Sequence, residues 1–210
     1  MGLLHSKDWQ GKWITFRNEK EEINSAPYFR KEFEVEKLVK RARMYVSGLG
    51  YYELYLNNQR VGSQVLSPGF TDYEERVLYN VFDLTEKIED KNSLALELGR
   101  GRYGMTTENV WGWEKPPWKD TPKLLLQLEI DYKDGSKKIV TSDSSWKTIR
   151  GATRFDSLYE GEVHDARKEP QGWKNYDYED TVWEKAKIAA PPAGKMKAEL
   201  NEPIKVVNHL

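Results

Sequence analysis

Leu124-Leu125-Leu126-Gln127-Leu128-Glu129-Ile130-Asp131-Tyr132-Lys133-Asp134-Gly135 is the stretch on which the fold turns. Leu124, Leu126, Leu128 and Ile130 recur at every second position. That is the period of a strand with one face buried, and it is incompatible with a helical stripe. Asp134-Gly135 then supplies residues that accept the left-handed conformation of a tight hairpin, so the chain is expected to return through Lys138–Thr141. The same alternation extends outward on both sides. Ser93–Leu98 places Leu94, Leu96 and Leu98 on one side, and Arg76–Phe82 continues the pattern. Nearer the start, Phe29, Phe33 and Val35 oppose Arg30, Glu32 and Glu34. Ala42, Met44 and Val46 follow, and then Tyr52, Leu54 and Leu56 alternate with Tyr51, Glu53 and Tyr55. Asn57-Asn58 before Val61-Gly62 predicts a hairpin over 51–62. Trp146–Ile149 and Leu158–Val163 are shorter strand candidates. The only helical candidates are short, at Asp83–Ile88 and at a turn near Tyr178–Trp183. About ten strands without intervening helices predict an all-β fold, an antiparallel, jelly-roll-like β-sandwich.

Composition removes whole classes of function. Thirty-three Lys and Arg against 34 Asp and Glu leave a formal net charge of -1, which gives no domain-wide field for nucleic acid or an anionic membrane. With no Cys and with His only at 5, 164 and 209, disulfide scaffolds, thiol nucleophiles and His- or Cys-built zinc sites fall away. No run approaches the ~18 apolar residues of a membrane span. The first nine residues lack the charged-then-apolar layout of a leader, so the expected location is cytoplasmic. Met1-Gly2-x-x-x-Ser6 fits an acylation pattern by letter and is read as chance. Ala189-Ala190-Pro191-Pro192-Ala193-Gly194 interrupts any regular element. Residues 1–188 are therefore expected to form the sandwich, with 189–210 a linker and the start of a following domain.

Candidate chemistry gathers where the alternation stops. Residues 99–122 hold Tyr103, Trp111, Trp113 and Trp118 with four Gly and three Pro, and loops of that length in compact domains are commonly functional. Flat rings beside Asn109, Glu114 and Asp120 suit a sugar, whose C–H face lies on a ring while its hydroxyls find polar partners. The same residues equally allow a lid that folds back and buries its own rings. Asp72, in Pro68-Gly69-Phe70-Thr71-Asp72-Tyr73, is either a turn former or a hydroxyl partner. Glu160, Glu162 and Asp165, within Tyr159–Arg167, have the oxygen density to hold calcium. Glu160 and Glu162 also offer a carboxylate pair for glycoside cleavage, although neighbours on one short turn are poorly placed to flank a substrate. The plainer reading of this segment is a turn in which Arg167 neutralises Asp165 or Glu162. No nucleotide loop, serine-hydrolase elbow or zinc-protease motif is present.

Several ordered segments carry a family resemblance. Trp13-Ile14, Ala26–Phe33, Ala42–Asn57, Val61-Gly62, Leu66–Tyr73, Asp134–Ser136, Asp143–Trp146, Tyr159–Arg167 and Gly172-Trp173 together resemble the N-terminal β-sandwich module of bacterial α-L-rhamnosidases of glycoside hydrolase family 78, over roughly residues 9 to 205. The resemblance implies an accessory domain preceding further sandwiches and an (α/α)₆ barrel. In such enzymes the barrel carries the catalytic carboxylates, so the resemblance implies no catalytic residues in this chain. It also implies similarity to calcium-dependent L-rhamnose-binding domains. One stretch departs from the family, which commonly reads Gly-x-Gly-Trp-Tyr where this chain has Gly99-Arg100-Gly101-Arg102-Tyr103, removing an aromatic contact at 102.

The expectation is therefore a non-catalytic module that contacts rhamnose-containing carbohydrate through Tyr103, Trp111, Trp113 and Trp118, with Asp72, Asn109 and Glu114 as hydroxyl partners. Its other partner is the catalytic domain of the same polypeptide. No cofactor is expected, calcium at Glu160, Glu162 and Asp165 being the one option. A purely structural docking domain is the alternative from another class.

Overall fold

A computed structural model describes residues 4–16 and 25–207; Met1 and Gly2 of the acylation pattern lie outside them. In chain order the strands are β1 (Ile14–Thr15), β2 (Pro27–Glu34), β3 (Val39–Leu49), β4 (Tyr51–Leu56), β5 (Gln59–Arg60), β6 (Arg76–Asp83), β7 (Lys91–Gly99), β8 (Lys123–Tyr132), β9 (Lys137–Thr141), β10 (Lys147–Arg150), β11 (Thr153–Ser157), β12 (Gly161–His164), β13 (Glu184–Lys185), β14 (Lys187–Ile188) and β15 (Lys195–Ala198). One sheet runs β14-β1-β8-β3-β6-β15, with β9 also on β8, and the other runs β13-β10-β2-β7-β4-β5. β11 and β12 form a separate hairpin.

Both long leucine faces point to the shared core, as the alternation requires. Leu124, Leu126, Leu128 and Ile130 are wholly buried against Leu94, Leu96 and Leu98 of the opposite sheet, with Met44, Val46, Phe29 and Leu54 in the same cluster. Asn57 and Asn58 both take positive φ, 50° and 62°, in the β4–β5 turn, and Gly135 at 85° closes the β8–β9 hairpin; both predicted turns are present. Asp83 accepts the Thr85 N–H at 3.0 Å, which sets a 3₁₀ turn at Thr85–Lys87. Residues 178–183 form turns and no helix.

Three features depart from the reading of alternation. First, Arg30 does not face water: it is 1% exposed beneath residues 173–180. Its Nε donates to the Trp173 carbonyl at 3.2 Å and Nη2 to the Asn175 carbonyl at 3.0 Å, while the guanidinium pairs with Asp180 and Glu32. Tyr28, Trp173 and Trp183 fill a small outer core beside it, the first two stacked at 4.3 Å and 8°. Second, Leu158–Val163 is not one strand. The Ser157 Oγ accepting from Tyr159 and Glu160 N–H groups, each at 3.2 Å, makes residues 158–160 the turn between β11 and β12, and Gly161, at φ 85°, opens β12, so only Gly161–Val163 of the expected strand is extended. Third, Lys195–Ala198, placed by the Pro-rich stretch beyond the sandwich, forms β15 and pairs parallel with β6. Met196 packs on a second core cluster, and Glu199 accepts from Gly69 N at 2.8 Å, Asn80 Nδ2 at 2.6 Å and Ser67 Oγ at 3.1 Å.

Candidate functional site

The long loop between β7 and β8 is held by a polar knot at Asn109. Its Oδ1 accepts the backbone N–H groups of Trp111 and Trp113 at 3.1 and 3.3 Å. Its Nδ2 donates to Glu114 Oε2 at 2.9 Å and to the Thr107 carbonyl at 3.2 Å. Asn109 and Glu114 therefore shape the loop, with Glu114 itself buried; its own backbone N–H and then Lys115 hold its carboxyl below the usual range. Asp72 likewise performs turn duty, accepting the Glu74 N–H at 3.0 Å.

The four rings of this loop divide into two environments. Tyr103 is 3% exposed, set edge-on to Tyr73 at 5.2 Å, and burial pushes its hydroxyl pKa up. Trp118 packs on Tyr73 at 6.0 Å and on Phe70 at 6.3 Å, and Trp113 meets Phe70 edge-on at 5.6 Å. Arg102, at the position where the resemblance lacks its aromatic, caps this group with its guanidinium 5.3 Å from the Phe70 ring and 5.4 Å from Trp113, an arrangement stabilised by the quadrupole of each ring. The lid alternative thus describes Tyr103, and in part Trp113 and Trp118: rings this large gain more by covering one another than by standing in water.

Trp111 is the exception. It is 69% exposed, and its ring lies stacked beside that of Tyr159, at 6.4 Å and 29°. Tyr159 projects from the β11–β12 turn. Loop and hairpin are tied together there, since Thr107 Oγ1 lies 2.7 Å from Ser157 Oγ and donates to Glu160 Oε2 at 2.8 Å. Two flat faces from separate elements, with hydroxyl and carboxylate groups at their base, form a wet platform.

The three carboxylates assigned to calcium do not converge. Glu160 is engaged by Thr107, Glu162 lies on β12 opposite Asp156, and Asp165 takes Arg167 Nε at 2.8 Å and Nη2 at 2.9 Å. That contact holds the Asp165 pKa down to about 2. Among the described residues no group of three or more His, Asp or Glu side chains is arranged to hold a metal ion. Arg167, two residues on, pairs with Asp165, one of the two partners that the turn reading names for it. Phe70, Arg102 and Tyr159 complete the aromatic site without having been singled out as contacts; Tyr159 and Phe70 stood in quoted turn motifs, and only the fold brings them to the loop.

Together these elements define an all-β sandwich module with ring-bearing loops at one edge. Residues 37–208 match the family described as the alpha-L-rhamnosidase N-terminal domain, and the chain belongs to that family. An α-L-rhamnosidase of Formosa agariphila is 35% identical over 211 residues, covering 95% of this chain and 22% of its own length. Among solved structures, the α-L-rhamnosidase of Dictyoglomus thermophilum superposes with a TM-score of 0.88 at 42% identity, over 99% of this chain and 24% of that one. The Streptomyces avermitilis α-L-rhamnosidase complexed with L-rhamnose gives 0.79 at 34% identity, over 88% of this chain and 18% of that one. The chain spans under a quarter of the length of these relatives. Among the described residues no helix is long and apolar enough to cross a membrane.

Proposed function

We propose that the chain serves as a non-catalytic module of an α-L-rhamnosidase and binds rhamnose-containing glycans on the Trp111–Tyr159 platform. The observation that carries this reading is an indole 69% exposed whose backbone N–H is held by Asn109 and whose ring stacks beside that of Tyr159. An exposed ring without a partner usually costs more than it returns, and aromatic faces backed by polar groups fit the apolar face and hydroxyl rim of a pyranose. The L-rhamnose of the Streptomyces complex belongs to that relative and is consistent with the sugar chosen. Titration of the 210-residue chain with L-rhamnose, with and without CaCl₂, should quench or shift Trp fluorescence, and Trp111→Ala should abolish the response. No change up to roughly 50 mM, a range that registers even millimolar binding, would sink the proposal.

A docking role against the rest of the polypeptide is the second reading. Val110 at 91% and Tyr159 at 44% exposure, the first its chain neighbour and the second its ring partner, extend Trp111 into an apolar surface of the kind that partners cover. Concentration-dependent self-association in sedimentation, without any sugar response, would favour it. A hydrolytic role has less support, because Glu160 and Glu162 occupy one hairpin rather than opposite walls of a cleft.

A further inference from the structure

A second concavity lies on the outer face of the sheet, beside the β11–β12 hairpin. Its floor is built by β4 and β7. Register pairs Tyr51 with Gly99 and Glu53 with Glu97, so all four point the same way, out of the core. The β11–β12 hairpin stands over one side, and Arg60 with the Val65-Leu66 segment closes the other, enclosing about 540 Å³.

The polar groups there are not those of a solvated sheet face. Two carboxylates directly opposite one another across an antiparallel pair are destabilising, and Glu53 is the one with compensation, pairing with Arg60 at 3.0 Å and accepting from Tyr55 at 2.8 Å. Asp156, on the hairpin, is paired with Arg100. Glu97 has Thr153 as its hydrogen-bond partner and faces Glu53, Glu162 and Glu169; burial pushes its pKa up to about 7. Burial therefore favours its protonated form, which can donate as well as accept. His164 Nδ1 sits 3.2 Å from Thr153 Oγ1, so a hydrogen-bond chain runs from the floor up the hairpin. An anion would be repelled by this lining. A half-buried Tyr51 ring with Leu66 and Leu158 provides the apolar contact that a small cation does not need and a sugar ring does.

The geometry points to this groove as a second carbohydrate subsite, taking one neutral sugar residue whose hydroxyls bond Glu97, Glu53 and Arg60 while its ring lies against Tyr51. It deepens the proposed glycan-binding role, resting on the chain's being a sugar binder, and adds a contact face independent of Trp111. The dimensions agree, since small-ligand sites commonly run ~300–1,000 Å³.

The test is residue-resolved. Backbone amide NMR spectra of the full chain would be recorded with L-rhamnose and, separately, with CaCl₂, for the wild type, Trp111→Ala, Glu97→Leu and Glu97→Gln. The expected result is that L-rhamnose shifts the amides of Tyr51, Glu97 and Thr153 in both wild type and Trp111→Ala. Glu97→Leu should weaken those shifts about fivefold, the scale of one lost hydrogen bond, while Glu97→Gln retains them; the spectra themselves report whether each variant is folded. Sugar shifts confined to residues near Trp111 and Tyr159 would overturn the groove and leave the platform standing. Shifts confined to the groove would uphold it and overturn the platform. Response of the groove to CaCl₂ with none to sugar would make it a cation site and overturn the inference, and silence at both faces would overturn both.

Discussion

Arg30 on β2 and Asp180 in the turn-rich segment after β12 form an ion pair across the outer face of the second sheet, with Arg30 almost completely buried. The same guanidinium collects carbonyls from Trp173 and Asn175. A single side chain thereby fastens an otherwise irregular segment over Tyr28 and its stacked Trp173.

Replacing Asp180 with Ala should leave that buried charge short of a partner, Glu32 alone remaining. Breaking a buried pair on one side costs about 3 kcal/mol. Urea unfolding followed by near-UV circular dichroism should show the loss. An unchanged midpoint would mean the strap is held by its aromatic contacts alone.

Glu97 should make stability depend on pH in an unusual direction. Its folded pKa of about 7 lies above the ordinary 4.5, so between those values the folded state holds more protons than the unfolded one. Stability is then full below about pH 4.5 and declines as pH rises through 7; the linkage amounts to about 3 kcal/mol at most. Thermal melts of Glu97→Gln should lose this slope and lie above the wild type at pH 8.

Trp111→Ala and Tyr103→Ala should separate binding from folding. The first removes an exposed ring and should change stability by no more than about 0.5 kcal/mol while removing the fluorescence response to L-rhamnose. The second empties part of the Tyr73–Trp118 cluster and should cost about 3 kcal/mol or more. The converse pattern would place the ligand contact in the buried rings.

Glu199→Ala should loosen β15. Three donors on the Ser67–Gly69 segment and Asn80 lose their acceptor, a change of about 1–3 kcal/mol. Hydrogen exchange should accelerate at Lys195–Ala198 and at Gly69 ahead of the β3–β8 amides. Uniform acceleration across the sheet would argue against a local clasp.

What could be read from the residues followed from how local the cause was. Leu124–Ile130 and the Asn57-Asn58 and Asp134-Gly135 turns declare themselves within a few positions, because period and left-handed tolerance are properties of adjacent residues. Arg30 could not be placed that way: its alternation marks it as outward, and outward is correct, but its burial is decided by residues 173–180. As a strand, Leu158–Val163 starts too early, because Leu158 and Tyr159 belong to the hairpin turn, and only from Gly161 does the chain pair with β11. At the candidate site the ring-rich loop was legible as a unit, whereas its division into buried Tyr103 and wet Trp111 was not; that depends on Tyr73, Phe70 and Tyr159, which only the fold brings near. Glu97 stayed invisible, since an acid between Leu96 and Leu98 looks like any solvent-facing position.

Ile14 on β1 sits between Leu124 of β8 and Ile188 of β14, and β2 lies between β7 and β10. β1 and β2 thus have neighbours that are synthesised much later than they are. Closing such long intervals is entropically slow and is rewarded only when the contacts finally form. Assembly cannot proceed strictly in the order of translation: the central pairing of β3 with β6 can form while β2 waits for β7, and β1 gains its first partner only with β8 and its second with β14.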